Sequence, residues 1–246
     1  MTPLRAHLPR RGGSARAFAF DLDRTLVAVG RAPSRLARAT IQEARGMGLS
    51  VVLVSGRAPS ALIPFVAALG PLEAVVAENG AVIEAPWGGR RQVIGGGVAQ
   101  QVRRRLEPIS GLEVEYGEVV ASGSWVDRRT IAGYLSGLDI HLVRNRDRLM
   151  VLPTGVTKAS GLGLALRRLR IPDHSFAAIG DGENDIPMLR AAAVSGAVAN
   201  AVPAVKAIVD YAAHEPFERG VQEFLQGPVA RWVRSDSSGR RSTSRS

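Results

Sequence analysis

Short apolar runs alternate with amphipathic stretches along the chain, and several runs stop abruptly at a polar residue or a glycine. "AFAF", residues 17–20, ends at Asp21, and "LSVVLV" runs into Ser55, Gly56 and Arg57. "LEAVVA" runs into Glu78, Asn79 and Gly80, and "FAAIG" runs into Asp181. Each run is short, continuous and rich in Val, Ala, Ile or Phe, the pattern of strands buried on both faces. Between them lie helical patterns. Ser34 caps residues 35–47, which Gly48 ends. Pro59 opens a second helix that stops at Gly70, and Pro64 inside it is expected to bend or shorten it. Strands alternating with helices predict βαβ units and a parallel sheet with its ligand at the carboxyl ends of the strands. The polar residues at those ends then converge, although Asp21 and Asp181 are 160 positions apart.

The middle of the chain reads differently. From Ala85 to about Leu152 the pattern becomes turn-rich at Pro86 and Gly88-Gly89, followed by a helix at "VAQQVRRRLEPI", a strand at "LEVEYGEVVA", a helix at "WVDRRTIAGYLSGL" and a strand at "DIHLVRNRDRLMVL". The last strand would place Arg144, Arg146 and Arg148 on one face, where they could bind an anionic substrate group or be a solvated face. The expected division is a core over 17–84 and 153–228, an inserted α/β domain over 85–152, and basic disordered tails over 1–16 and 229–246.

Composition narrows the chemistry. The 246 residues hold 46% hydrophobic residues, enough for one large α/β domain with a smaller one attached. With no cysteine, disulfide and thiolate chemistry are excluded. No apolar run approaches a membrane span, and no apolar signal region follows Arg10-Arg11, so the expected location is the cytoplasm. The formal charge of +10 suggests nucleic acid until it is located. Residues 1–16 carry four Arg and no acid, residues 231–246 carry five Arg and Asp236, and the region between is nearly neutral. The tails read as solvated, so nucleic acid is not an expected partner.

Four acids, Asp21, Asp23, Asp181 and Asp185, form the candidate site. Two like charges ~4 Å apart repel by roughly 4 kcal/mol at an effective dielectric near 20. Their convergence therefore calls for a cation or a proton. All-oxygen ligands without Cys or a nearby His favour Mg²⁺. Lys158 can add positive charge and Ser55 a hydrogen bond to a phosphate. One Asp can attack phosphorus and a second can move the proton.

"DLDRTL", "VLVSGR", "TKASGL" and "GDGENDIPML" resemble, in order, the four motifs of the haloacid dehalogenase (HAD) superfamily, over roughly residues 17–226. The resemblance implies a doubly wound HAD-like core with Asp21 as nucleophile and Asp23 as general acid and base. It implies that Ser55 and Lys158 hold the phosphoryl group, and that Asp181 and Asp185 complete a Mg²⁺ site with Asp21 and the Asp23 carbonyl. The insertion after "AENGAVIE" resembles the α/β cap of the Cof-like, or IIB, branch, mostly phosphatases of sugar phosphates and other small phosphorylated metabolites. The "SGR" and "ENGA" pieces also resemble phosphoglycolate-type phosphatases. Arg57 and Asn79 are further candidates for substrate contact, and Asn184 for bracing the acids. Arg24 departs from the pattern, which usually has Gly there. It either points to solvent from an ordinary backbone or leans over the entrance.

Three rivals make different predictions. A phosphomutase on the same core would release no inorganic phosphate. A nucleic-acid-associated protein would lose salt-dependent binding with its Arg-rich tails. A silent metabolite sensor would tolerate Asp21→Asn.

Overall fold

The structure, a computed structural model, describes residues 16–239. In chain order the strands are β1 (Ala17–Phe20), β2 (Ser50–Val54), β3 (Ala74–Ala77), β4 (Val82–Glu84), β5 (Arg91–Val93), β6 (Glu115–Tyr116), β7 (Ala121–Ser124), β8 (Ile140–Asn145), β9 (Arg148–Pro153), β10 (Phe176–Gly180), β11 (Val194–Ala197) and β12 (Tyr211–Ala212). The helices are α1 (Arg35–Gly46), α2 (Pro59–Leu69), α3 (Gly96–Leu106), α4 (Arg128–Tyr134), α5 (Lys158–Arg168), α6 (Ile186–Ala191), α7 (Pro203–Lys206), α8 (Phe217–Phe224) and α9 (Ala230–Gly239). None is long and apolar enough to cross a membrane.

Eight strands form one sheet in the order β12-β11-β10-β1-β2-β3-β4-β5. Pairing is parallel from β12 to β3 and antiparallel for β4 and β5. Every residue of β1 is fully buried, as a central strand covered on both faces requires. From β1 the chain winds outward through β2 and β3, then returns to lay β10 on the other side of β1. That reversal is the switch point at which α/β sheets bind ligands.

The other four strands form an antiparallel sheet in the order β6-β7-β9-β8. It has its own apolar cluster, including Val102, Leu106, Ile131, Leu149 and Val151, shared with α3 and α4. The chain enters this smaller unit at Gly95 and leaves it after Pro153. The two crossings touch: a Cβ on Gly95 would lie 2.2 Å from Pro153 Cγ, and Gly95 has φ 81.

Several elements differ from the sequence reading. The two long strands expected at 112–121 and 139–152 are each a hairpin, turning at 117–120 and at Arg146-Asp147. Arg146 has φ 58, which breaks the alternation of the arginines. Asn145 pairs with Arg148 and Arg144 with Leu149, so Arg144 and Arg148 sit on opposite faces of the smaller sheet. β5 belongs to the larger sheet, so that sheet extends past the boundary expected at Ala85. Pro64 neither ends nor shortens α2. The carbonyl it leaves without an N–H partner is that of exposed Ser60 in the first turn, where water can serve. The C-terminal segment expected to be disordered from 229 is helical over Ala230–Gly239, and the Arg16 guanidinium stacks 4.7 Å from the Trp232 ring. Residues 1–15 and 240–246 of the expected tails lie outside the described residues.

The C-terminal helices are pinned by Glu223. Its carboxylate accepts from Tyr211 Oη at 2.6 Å and from the N–H groups of His214 and Glu215. Burial alone would push this carboxyl up, but the Tyr211, His214 and Glu215 hydrogen bonds win and hold it at about 2. A carboxyl depressed in the folded state stabilises above its ordinary value, near 4.5, and that contribution fades as pH falls towards 2. Glu223→Gln is therefore expected to lower Tm at neutral pH and to converge on the parent protein near pH 2–3. Thermal melts across that range check it; a gap independent of pH would contradict it.

Candidate active site

Three strand ends bring the acids together. β1 pairs with β10 with Phe20 opposite Ile179, and with β2 with Phe20 opposite Leu53. Asp21, Asp181 and Ser55 therefore leave neighbouring strands at one edge of the sheet. The Asp21 N–H donates to Ile179 O at 3.1 Å, extending the ladder by one residue. Beyond β10 a single 3₁₀ turn at Glu183–Asp185 swings Asp185 back under the loop. Its Oδ2 accepts the N–H groups of Asp181 and Gly182, both at 3.0 Å.

Lys158, at the start of α5, completes the cluster from behind. Thr157 and Ser160 form a capping box there. The loop at 78–80 presses on this helix start so closely that a Cβ on Gly80, which has φ 103, would lie 2.0 Å from Thr157 O. Lys158 is 1% exposed, and its Nζ donates to Asp21 Oδ1 and Asp185 Oδ1, each at 2.6 Å. Burial disfavours its charge, but Asp185 and Asp21 outweigh that and raise its pKa. Asp181 is held differently: Thr25 Oγ1 donates to Oδ1 at 3.2 Å and Arg146 Nη2 to Oδ2 at 2.6 Å.

Asp21, Asp181 and Asp185 are all buried and offer oxygen atoms within 4.8 Å of one another. Burial pushes the Asp21 carboxyl well above the usual range, and Asp185 and Asp181 add to this against the pull of Lys158. Burial and Asp185 likewise raise Asp181 against Arg146 and Lys158. Two cations thus leave three buried carboxylates short of positive charge. A hard divalent cation fits this all-oxygen donor set, whose members are Asp21, Asp181 and Asp185.

Asp23 stands three residues beyond β1 and lines a cleft of about 430 Å³ between the larger sheet and the smaller unit. Arg57 grips it with both prongs, Nε to Oδ2 at 2.6 Å and Nη2 to Oδ1 at 2.5 Å, and rests on the Phe65 ring. Ser55 is buried and is not the cap of α2, which begins at Ala58-Pro59. Its Oγ accepts the Arg57 N–H at 3.2 Å and keeps its own proton for another acceptor. Asn79 and Asn184 face each other, Nδ2 of Asn184 donating to Oδ1 of Asn79 at 2.8 Å. Of Arg144, Arg146 and Arg148, only Arg148 lines the cleft. It also pairs with Glu115, while Arg144 lies over Trp125 and Arg146 reaches Asp181 and Asn200 O.

Arg24 does not sit on an ordinary backbone: its φ is 64, and it does not line this cleft. The left-handed turn lets its N–H reach Val27 O at 2.7 Å and presents its carbonyl to Asn200 Nδ2 at 2.7 Å. Left-handed strain of about 1–2 kcal/mol would be relieved in Arg24→Gly, less about 0.4–1 kcal/mol of added unfolded-state entropy. The variant is expected to gain between about 0 and 1.6 kcal/mol in denaturant titrations. A loss of stability would show that the side chain, not the backbone, matters at this turn.

Sequence reasoning missed three participants. Thr25, inside the "DLDRTL" motif, holds Asp181. Asn145 lines the cleft from the hairpin beside Arg148. Glu183 accepts the Arg146 N–H at 2.9 Å, which fastens the tip of that hairpin to the loop carrying Asp181 and Asp185.

A family model for haloacid dehalogenase-like hydrolases matches residues 18–90 and 139–225. The phosphoglycolate phosphatase of Archaeoglobus fulgidus is 30% identical over 217 residues, 86% of this chain and 96% of that protein. That of Aeropyrum pernix is 32% identical over 228 residues, covering 87% and 93%. Among solved structures, Thermoplasma acidophilum 0175 superposes with a TM-score of 0.74 at 20% identity, over 87% of this chain and 98% of the other. The HAD subclass IIB sugar phosphatase BT4131 gives 0.69 at 20% identity, over 86% and 98%. These last two likenesses concern the fold.

Proposed function

The chain belongs to the haloacid dehalogenase-like hydrolases and is a phosphatase of the Cof-like branch, and from that premise we propose a Mg²⁺-dependent monoesterase for a small phosphorylated metabolite, with a phosphoglycolate-like acid as the first substrate to try. The observation that carries the reading is the meeting of Asp21, Lys158 and Asp185 within 2.6 Å hydrogen bonds at the switch point, with Asp23 and Arg57 facing the cleft above. The proposed cap is the smaller unit, which closes the far side of the cleft and limits its size.

In this reading an Asp21 Oδ forms a bond to phosphorus as the bond from phosphorus to the leaving oxygen breaks, giving an aspartyl-phosphate. Asp23, protonated for this step, gives its proton to the leaving oxygen. It then takes one from water, whose oxygen bonds to phosphorus and frees the Asp21 carboxylate and inorganic phosphate. Both proton transfers require the Asp23–Arg57 pair to part, and the arriving anion gives Arg57 a second partner. Lys158 holds Asp21 in line and Ser55 can donate its hydroxyl to a phosphoryl oxygen. A bound Mg²⁺, held by Asp21, Asp181 and Asp185, would neutralise charge on the phosphoryl oxygens and the clustered acids.

Two features support a small acid as substrate. Arg148 and Asn145 line the cleft opposite Asp23, where an arginine fork can take a carboxylate. The two relatives at 30% and 32% identity are phosphoglycolate phosphatases. The test is inorganic phosphate release from a panel of phosphorylated metabolites with Mg²⁺, with chelator and Asp21→Asn as blanks. Release from 2-phosphoglycolate or a close analogue is expected; silence across the panel would overturn the reading.

A further inference from the structure

Glu78 is used by none of the chemistry above, yet it is 1% exposed and carries a carboxylate. It leaves β3 with φ 47 and is followed by Asn79 at φ 53, so two consecutive non-glycine residues occupy the left-handed region. The backbone bonds on this loop tie it to the site: Glu78 N–H to Arg57 O at 3.0 Å, and Asn79 N–H to Ser55 O at 2.9 Å. The side chain points the other way, into the smaller unit. Oε1 accepts the N–H of Glu118, and Oε2 accepts those of Val119 and Val120, all at 2.8 Å.

These three N–H groups belong to the turn between β6 and β7, whose Gly117 and Val120 wall the cleft. The fit depends on a missing side chain: a Cβ on Gly117 would lie 2.6 Å from Glu78 Oε2. Val119 and Val120 are buried beside it in the apolar cluster of the larger unit. A carboxylate in such surroundings is costly to bury unless hydrogen bonds replace water, and here three charge-assisted bonds do so. When the units part, water solvates the same carboxylate. The contact is thus strong enough to hold and able to release. The nearby Arg91–Glu118 ion pair is solvent-exposed and adds little.

We propose that Glu78 is a latch: its carboxylate holds the 117–120 turn and, with Arg146 fastened to Asp181 and Glu183 at the other hairpin, keeps the smaller unit closed over Asp21 and Lys158. Glu78 is a positioning residue, and the proposal is independent of which phosphate ester is the substrate.

The chain has no cysteine, so spin labels can be placed uniquely at Ile63→Cys on α2 and Val126→Cys on the smaller unit, both exposed. Distances between them should form one short population in the parent protein. Glu78→Gln, which turns one acceptor into a donor facing an N–H, should shift weight to longer distances. Gly117→Ala should do the same from the opposite side, and serves if the Glu78 variant fails to fold. Amide exchange at Glu118, Val119 and Val120 should accelerate about tenfold or more, while amides of β1 and β2 keep their protection. Unchanged distances and unchanged exchange at 118–120 in a folded variant would overturn the latch.

Discussion

Asp21→Asn is expected to abolish turnover, lowering kcat by at least about 10⁴-fold, while making the metal-free protein more stable. The amide keeps the shape of the side chain but cannot attack phosphorus. The gain in stability follows from the cost of the charge it replaces. Burial, then Asp185 and Asp181, push the Asp21 carboxyl well above the usual range even with Lys158 2.6 Å away. A group raised in the folded state stabilises at pH below its ordinary value, and that contribution is lost as pH rises through the raised value. Metal-free parent protein should therefore lose Tm with rising pH more steeply than Asp21→Asn. Mg²⁺ should reverse the order, because the parent keeps all three buried carboxylates for the ion and the variant keeps two. Melts with Mg²⁺ and with chelator at several pH values check both parts. A variant less stable than the parent without metal would contradict the electrostatic account.

Lys158→Met should have the opposite effect on stability and the same effect on activity. The side chain is 1% exposed and its ammonium is shared by Asp21 and Asp185. Removing one partner of a buried pair leaves uncompensated charge and typically costs about 3–5 kcal/mol. Lys158→Arg is no substitute, since a planar fork cannot replace a compact ammonium between two oxygens. Adding Asp185→Asn to Lys158→Met should restore part of the loss, because the second change removes a charge the first left unpaired. Denaturant titration of both singles and the double measures this coupling. Strict additivity would mean that Lys158 acts by packing alone. Neither variant should hydrolyse a phosphate ester, because the lysine that positions Asp21 is gone.

The core was readable because its chemistry sits where the sequence pattern changes. Each apolar strand breaks at a residue no buried strand would hold, at Asp21, Ser55, Glu78 and Asp181, and parallel pairing brings those breaks to one edge. Lys158 carried no such signal beyond its motif, and its burial between two acids depends on the tight approach of Gly80 to α5. The smaller unit was read less well. Its hairpins turn at Gly117 and at Arg146-Asp147, and the strand-forming residues beside these turns, such as Val119, Val120 and Leu149, hide the break. A left-handed arginine is a turn that no single-residue preference announces. That miss put three arginines on one face, whereas they serve three places. The role of Glu78 was also hidden, because its partners are backbone N–H groups 40 to 42 residues away, which no side-chain pattern records. α9 was obscured by the Arg- and Ser-rich composition that follows it, and its docking rests on Trp232 and Arg16 at opposite ends of the chain.

The central claim is covalent chemistry at Asp21, and a quenched reaction of Asp23→Asn with p-nitrophenyl phosphate and Mg²⁺ tests it most directly. The nitrophenolate departs without needing a proton, so this variant should form the phosphoenzyme and stall before water completes the second step. Mass analysis of the acid-quenched, digested protein should then find one phosphoryl group on the peptide that carries Asp21, and none in the Asp21→Asn, Asp23→Asn double variant. Nitrophenol release with no modified peptide, or a phosphoryl group that persists without Asp21, would contradict the account.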